Sequence, residues 1–556
     1  MPIFWISALI LTDMARIELA PNSLVVFVGA NNSGKSAALR GIRELLSTLG
    51  ATSKSAIEQV VLHRAGSLDD LREYMAPFLK LDHYMVEAGG VHVTSLASYW
   101  SSTAPSLGAL STAMVSDLST EVRLGDCQPA QTINFRTDNV RHPFQRMWLD
   151  RHLENATSSI IRRAFNCDLV IDRGAGGIIP AYVGDRPERM PDEERGDPSY
   201  TDRVQKLQPL EEQGDGMRSF VSIVARVLTE ARPVLLIDEP EAFLHPPQAR
   251  LVGRQLSVDG YDRQTFIATH SSEVLQGLLG GERGASVTVI RLSRAPGSAK
   301  AVCLRPEQIA ELWKDPILRF STILDGLFHD GVVVCESDAD CRFYEAMIDA
   351  VGNSEKQPDL HYVYSGGKDR LHIVVKALAD LGLPVSTIVD FDVLNNEATL
   401  KRILAAHGGD WEEIRADWQT VKTAIEQHSA FLGGDKFVQA VNMALKRCKQ
   451  GEAVPREVLS NVRKLTRQAS PWDFCKTAGL AAISSGEPQV AVRRLLANLM
   501  KTGIFVVPVG EMEGFQRSVG SHGPRWVEEV LRADLANDPN LEEARSFARA
   551  ITLRFA

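Results

Sequence analysis

The feature that most constrains this chain lies at residues 24–40. Leu24-Val25-Val26-Phe27-Val28 is an apolar run suited to a buried central strand. It feeds directly into Gly29-Ala30-Asn31-Asn32-Ser33-Gly34-Lys35-Ser36 and then into the helix-forming Ala37-Ala38-Leu39-Arg40. A Gly-x4-Gly-Lys-Ser loop between strand and helix is a phosphate cradle, because its glycines let backbone N–H groups curl around an anion and the helix N-terminus adds partial positive charge. Gly29, Asn31, Asn32, Ser33 and Gly34 form the cradle, Lys35 reaches the β- and γ-phosphates, and the Ser36 hydroxyl ligates Mg2+. The chain is therefore expected to be an α/β protein that binds ATP with Mg2+.

A second half-site follows. Val234-Leu235-Leu236-Ile237 is another apolar strand, ending in Asp238-Glu239-Pro240-Glu241. Asp238 is placed to hold Mg2+ through water and Glu239 to polarise the attacking water. A third strand, Thr265–Thr269, ends at His270. A lone histidine is usually structural, but one at this position is expected to sense the γ-phosphate as the switch residue of ABC-type ATPases. Between these motifs, Gly214-Asp215-Gly216-Met217-Arg218-Ser219 opens an apolar helix. Such a turn is a further anion site with Asp215 and Gly216 as nucleotide contacts, although a plain helix cap also explains it.

At 556 residues the chain has room for several domains, and its 44% hydrophobic and 24% charged residues are ordinary for globular protein. A net charge of -9 excludes a uniformly basic nucleic-acid binder but not a local basic patch. Seven cysteines are scattered singly, as in reduced cytoplasmic proteins. The opening run Ile3–Leu11 lacks a basic flank and a cleavage site, and is too short to span a bilayer, so it reads as a buried first strand. No membrane association is expected.

Residues 51–205 carry no chemical motif and read as a lateral insertion. It has helical sequence around Asp117–Val122 and Pro143–Ala164, then strands at Cys167–Asp172 and Ile178–Val183. Arg141, Arg146, Arg151, Arg162 and Arg163 form a basic face or simply a solvated helix surface.

Beyond residue 305 a helical connection to about residue 330 precedes a second chemical signal. Gly331-Val332-Val333-Val334-Cys335 is a strand delivering Glu336, with Asp338 and Asp340 just after it. Ser365-Gly366-Gly367-Lys368 follows a short strand, and Val385–Val389 ends at Asp390-Phe391-Asp392. In extended backbone the two aspartates point to one face. With Glu336 and Asp340 they form an oxygen-ligand cluster suited to Mg2+ or Mn2+. A late strand, Ile504–Val509, leads to Gly510-Glu511-Met512-Glu513, where Glu513 is the preferred further metal ligand and Glu511 the fallback. His522-Gly523-Pro524-Arg525 lies downstream as the source of a basic partner. Residues 396–500 are helical, with Lys436, Lys446, Arg447, Lys449, Arg456, Arg463, Lys464 and Arg467 forming a basic segment that suits DNA phosphates or a solvated helical face.

The succession strand–Glu, Gly-Gly-Lys, strand–Asp-x-Asp resembles a TOPRIM domain, and the 214–219 turn resembles the degenerate signature of SMC-like ATPases. Two departures stand out: Gly214 replaces the usual serine of the signature, and Ser337 replaces the glycine after Glu336. Together the motifs are similar to those of overcoming-lysogenization-defect (OLD) family nucleases, the Gabija defence nuclease among them. The resemblance implies an ABC/SMC-like P-loop ATPase domain over 1–305 with a helical insertion. It also implies a Rossmann-like TOPRIM domain over 331–556, interrupted by helices at about 396–500.

It further implies ATP hydrolysis, metal-dependent DNA cleavage with Glu239, Glu336, Asp390, Asp392 and Glu513 as catalytic residues, and an antiphage role. A homodimer or larger assembly is expected because one subunit's signature completes another's ATP site, and an accessory defence protein is a possible partner. Two alternatives stay open: a TOPRIM domain acting on RNA such as tRNA, and a non-nucleolytic SMC-like scaffold.

Overall fold

The computed structural model describes residues 3–555 except 13–14, 49–54, 81, 87–88, 102–105, 135–137, 259–261, 296–297, 305–321, 353–356, 428–433 and 449–452. The chain divides into two compact units, Met1–Arg319 and Phe320–Ala556. Most of the expected helical connection lies outside the described residues, leaving the 3-10 helix Thr322–Phe328.

The first unit is built on a six-stranded sheet. Its strands run in the order Ser298–Leu304, Val287–Ala295, Leu24–Val28, Gln264–Ala268, Val234–Asp238, Val115–Leu118. All neighbours are parallel except the edge hairpin at 287–304. The near-continuous apolar character of the inner strands Leu24–Val28 and Val234–Asp238 suits burial on both faces, and every residue of Leu24–Val28 is buried. The opening run forms Phe4–Leu11, the centre of a three-stranded antiparallel sheet with Arg16–Glu18 and Ile57–Arg64. Buried Gln264 ties it to the large sheet: its amide accepts from Ile6 N–H at 2.8 Å and donates to the Ile6 and Ala20 carbonyls at 2.8 Å.

Residues 51–205 do not stand apart from this core. The helix expected around Asp117–Val122 begins only at Thr120, and Asp117 and Leu118 belong to an edge strand, Val115–Leu118, that pairs in parallel with Val234–Ile237. Pro143–Leu149 and Arg151–Phe165 are helices as expected, and Asp168–Ile171 pairs with Ala181–Gly184. The arginines do not share one basic face. Arg162 is paired with Asp168, Arg151 with Glu194, and Arg146 lines a pocket.

The second unit has a four-stranded parallel sheet in the order Leu360–Tyr364, Gly331–Cys335, Val385–Val389, Ile504–Val506. The chain leaves Gly331–Cys335 toward one edge and returns to its other side, so the crevice beyond Cys335 and Val389 is the topological switch point. Phe343, Tyr344, Phe505, Phe515, Trp526 and Phe547 stack edge-on or tilted beneath it. This packing fixes the helices Pro524–Val530 and Glu542–Thr552. Helices occupy most of 397–502. Lys436, Lys446, Arg447, Arg456 and Arg463 are exposed there, while Lys449 and the Lys464 and Arg467 side chains lie outside the described residues.

Candidate functional site

Three adjacent strands of the first unit end at one edge, and each delivers part of a nucleotide site. The loop after Leu24–Val28 turns on positive φ at Gly29, Asn32 and Gly34. A side chain at Gly29 would meet the Leu292 carbonyl at 2.2 Å, so only glycine lets the loop lie this close to the neighbouring strand. Asn31 and Asn32 are exposed, and the buried Ser33 Oγ has no hydrogen-bond partner among the described residues. Lys35 Nζ donates to the Gly29 and Ala30 carbonyls at 2.9 Å, which folds it over the loop. Burial lowers its pKa against the pull of Glu239, Glu241 and Asp238.

Ser36 Oγ donates to Asp238 Oδ1 at 2.9 Å, bringing both proposed Mg2+ contacts together. His270 Nδ1 lies 3.0 Å from Glu241 Oε1 and 3.9 Å from Glu239 Oε1. The Glu241 hydrogen bond and charge raise the histidine pKa. Glu241 is buried and also accepts from Thr269 Oγ1 at 2.8 Å and from His270 N–H at 2.7 Å. It holds the Thr269–His270 turn in place, a role the sequence reading did not assign.

Arg123 also escaped that reading. Fully buried, its guanidinium donates to the Asp238 carbonyl at 2.6 Å, the Glu239 carbonyl at 3.0 Å and Ser219 Oγ at 3.1 Å. It thereby ties the acidic loop to the signature helix Asp215–Thr229. Glu239 has φ 48, a conformation rare for a non-glycine residue. The Arg123 bond and its own N–H bond to the Ala268 carbonyl at 2.8 Å hold it there. Asp215 and Gly214 are exposed at the helix start. A side chain at Gly216 would meet the Phe243 carbonyl at 2.6 Å.

In the second unit the strand ends gather carboxylates. Glu336 follows the central strand, and its Oε1 is buried without a hydrogen-bond partner among the described residues. Burial, then the charge of Asp390, pushes its pKa up to about 8. Burial likewise raises Asp390 to about 6, with Lys476 pulling it down. Burial and then Glu513 raise Glu511 to about 7. Asp340 is raised by burial although it accepts from Ser337 N–H at 2.9 Å and Ser337 Oγ at 2.8 Å.

Asp390 and Asp392 do face one partner, but not through extended backbone. The strand ends at Val389, Asp390 caps a 3-10 turn over Phe391–Asn395, and Asp392 lies in its first turn. Lys368, next to the positive-φ Gly366 and Gly367, is ion-paired with Asp392.

The second cation of the cluster is Lys476, from the helix Pro471–Ala478. Its Nζ lies 3.0 Å from Asp390, 3.8 Å from Asp392 and 3.9 Å from Glu511. Glycines make this placement possible. A side chain at Gly510 would meet the Lys476 carbonyl at 2.1 Å, and one at Gly479 the Pro508 carbonyl at 2.0 Å. Arg525, the expected basic partner, is exposed, and among the described residues the cations paired with this cluster are Lys368 and Lys476. Glu511, Glu513 and His522 bring ligand atoms within 4.8 Å of one another, a group able to hold a metal ion. Gly523 N–H donates to Glu513 Oε1 at 2.8 Å.

Comparison with known families fits this division. Residues 179–276 match "AAA domain, putative AbiEii toxin, Type IV TA system", and residues 327–392 match "Overcoming lysogenization defect protein-like, TOPRIM domain". The chain thus carries an ATPase-domain match followed by an OLD-like TOPRIM match. It is similar to the SMC head bound to the C-winged helix domain of ScpA at 13% identity and TM-score 0.33, over 55% of this chain and 99% of that one. It is similar to the SMC head domain from Thermotoga maritima at 10% identity and TM-score 0.27, over 54% and 97%. No curated protein matches at the sequence level.

The OLD-like TOPRIM match stops at Asp392, so Lys476, Glu511 and Glu513 join this cluster through geometry alone. The chain has no helix among the described residues long and apolar enough to cross a membrane. Among the described residues no two cysteines form a disulfide.

Proposed function

We propose that this chain is an OLD-family nuclease: an ATP-hydrolysing, divalent-metal-dependent DNA endonuclease of antiphage defence, acting in the cytoplasm. Its likeness to the Gabija nuclease belongs to the same proposal. The observation that carries it is the carboxylate cluster. A buried Glu336 oxygen without a partner, beside Asp390 whose charge raises its pKa, is a site that a cation would relieve. The donor set is all oxygen apart from His522, which fits Mg2+ or Mn2+.

Glu336, Asp340, Asp390, Asp392 and Glu513, with Glu511, would hold the metal. When bound it supplies charge for an activated water and for the leaving oxygen. Lys476 and Lys368 orient the aspartates and hold positive charge where a phosphodiester anion is to sit. In the ATPase unit, Ser36 and Asp238 take Mg2+ with ATP, Lys35 takes the phosphates, Glu239 orients the attacking water and His270 reads the γ-phosphate. The exposed helix start at Gly214–Gly216 supports homodimerisation, or a larger assembly, across ATP. Lys436, Lys446, Arg447, Arg456 and Arg463 offer exposed charge for DNA phosphates.

The test is incubation of purified protein with supercoiled plasmid and, separately, with tRNA, with and without Mg2+, Mn2+ and ATP. Metal-dependent nicking or linearisation that vanishes in EDTA and in Glu336→Gln and Asp390→Asn is expected. Cutting of tRNA alone, or equal cutting by the variants, refutes the reading.

A further inference from the structure

Between the helices Leu68–Met75 and Pro143–Leu149 and the C-terminal end of the signature helix lies a pocket of about 310 Å³, at the small end of ligand-site sizes. Phe78, Met85 and Val140 give it apolar walls, while four arginines and a single carboxylate supply its charge. Two of those arginines are neutralised. Arg226 is paired with Asp126 at 2.5 Å, and Arg232 with Glu230 at 3.0 Å.

Arg141 and Arg146 are not neutralised. Neither guanidinium has a hydrogen bond or ion pair among the described residues. Arg146 is half-buried, and burial pushes its pKa down while Glu230, already paired, pulls it up. A guanidinium does not release its proton in proteins, so Arg146 keeps its charge with the cost of burial unmet. An oxyanion is the partner that would offset this, because the planar fork donates two parallel hydrogen bonds to phosphate.

We infer that this pocket binds a small phosphate monoester with a flat apolar body, such as an aryl or nucleoside monophosphate, held by Arg141 and Arg146 against Phe78, Met85 and Val140. The occupant would also meet Thr229 at the end of the signature helix and the 230–232 turn leading into the Val234–Asp238 strand. Binding there is therefore expected to alter the ATPase rate. The inference is independent of whether the second unit cuts nucleic acid.

The experiment is calorimetric titration of the full chain, in EDTA, with phenyl phosphate, inorganic phosphate and benzoate. Phenyl phosphate is expected to bind wild type and Lys35→Ala alike, which separates this pocket from the P-loop. Arg146→Gln and the exposed Arg141→Gln should each weaken it about tenfold or more, the loss of one charge-assisted contact. Inorganic phosphate should bind more weakly, since it leaves the apolar walls wet. Circular dichroism checks the fold of each variant, and Arg141→Gln keeps the test sound if Arg146→Gln does not fold. Unchanged affinity in folded arginine variants, loss of binding in Lys35→Ala, or benzoate binding as tightly as phenyl phosphate overturns the inference.

Discussion

Lys476 Nζ lies 3.0 Å from Asp390 Oδ2 and stands among carboxylates supplied by two different strand ends. The lysine is held by its helix, the helix by backbone contact at Gly479 and Gly510, and the aspartate by the end of the Val385–Val389 strand. Lys476→Met is expected to lower plasmid cutting by about two orders of magnitude, the scale of removing one electrostatic group from an active site. It should also move the acid limb of the pH–rate profile upward, because Lys476 holds the Asp390 pKa down toward about 6. A variant with lower activity but an unmoved profile would reduce Lys476 to a structural role.

The carboxyl groups predict how pH couples to metal. Glu336, Glu511 and Asp390 stand at about 8, 7 and 6, all above the ordinary carboxylate range near about 4. The metal-free fold therefore binds protons that the unfolded chain has released. The stability these three groups contribute is fullest below about pH 4 and declines as pH rises through these values. Metal replaces those protons, so Mg2+ or Mn2+ should raise the melting temperature more at about pH 8 than at about pH 6. Equal metal-induced shifts at both pH values would contradict this linkage.

Nucleotide chemistry separates by residue. Lys35→Ala should abolish ATP binding, whereas Glu239→Gln should bind ATP and hydrolyse it slowly, since only the water-orienting group is lost. In Glu239→Gln, ATP should also favour a dimer or larger form by light scattering. A monomer at all concentrations with full wild-type ATPase would dismiss a shared nucleotide site.

Arg123 makes a different prediction because nothing in its place can reach all its acceptors. Arg123→Lys keeps a charge but loses the fork that spans Asp238, Glu239 and Ser219. A cost of about 3–5 kcal/mol is expected from breaking a buried charged network. Thermal melting would register that loss. ATPase activity should fall further than ATP affinity, since the Glu239 backbone is freed while the Lys35 loop is untouched. Proportional loss of both would mean the arginine only supports the fold.

Much of this was legible because phosphate and metal sites sit where buried strands end. The apolar runs before Gly29, Asp238, His270, Glu336 and Asp390 announce both strand and payload. What stayed hidden has no local pattern. Val115–Leu118 is a four-residue edge strand with a mixed sequence, paired on one side only, and reads no differently from a helix start. Arg123 is one arginine in a short helix, and its meaning lies in carbonyls more than a hundred residues away. Lys476 sits in a helical stretch that looked like insertion, and only packing brings it to the aspartates. Glu511 and Glu513 are near-equivalent in sequence, and the turn alone separates their surroundings.

The order in which these parts leave the ribosome has a consequence of its own. The phosphate cradle is complete early in synthesis. The proposed cutting cluster needs Glu336, the Asp390 turn, Lys476 and then Glu511 and Glu513, so its last members emerge several hundred residues after the phosphate cradle. Stalled or truncated products short of Glu511 can acquire the nucleotide site but not the cluster. On the proposed reading, cutting would thus await residues made long after the nucleotide-binding loop.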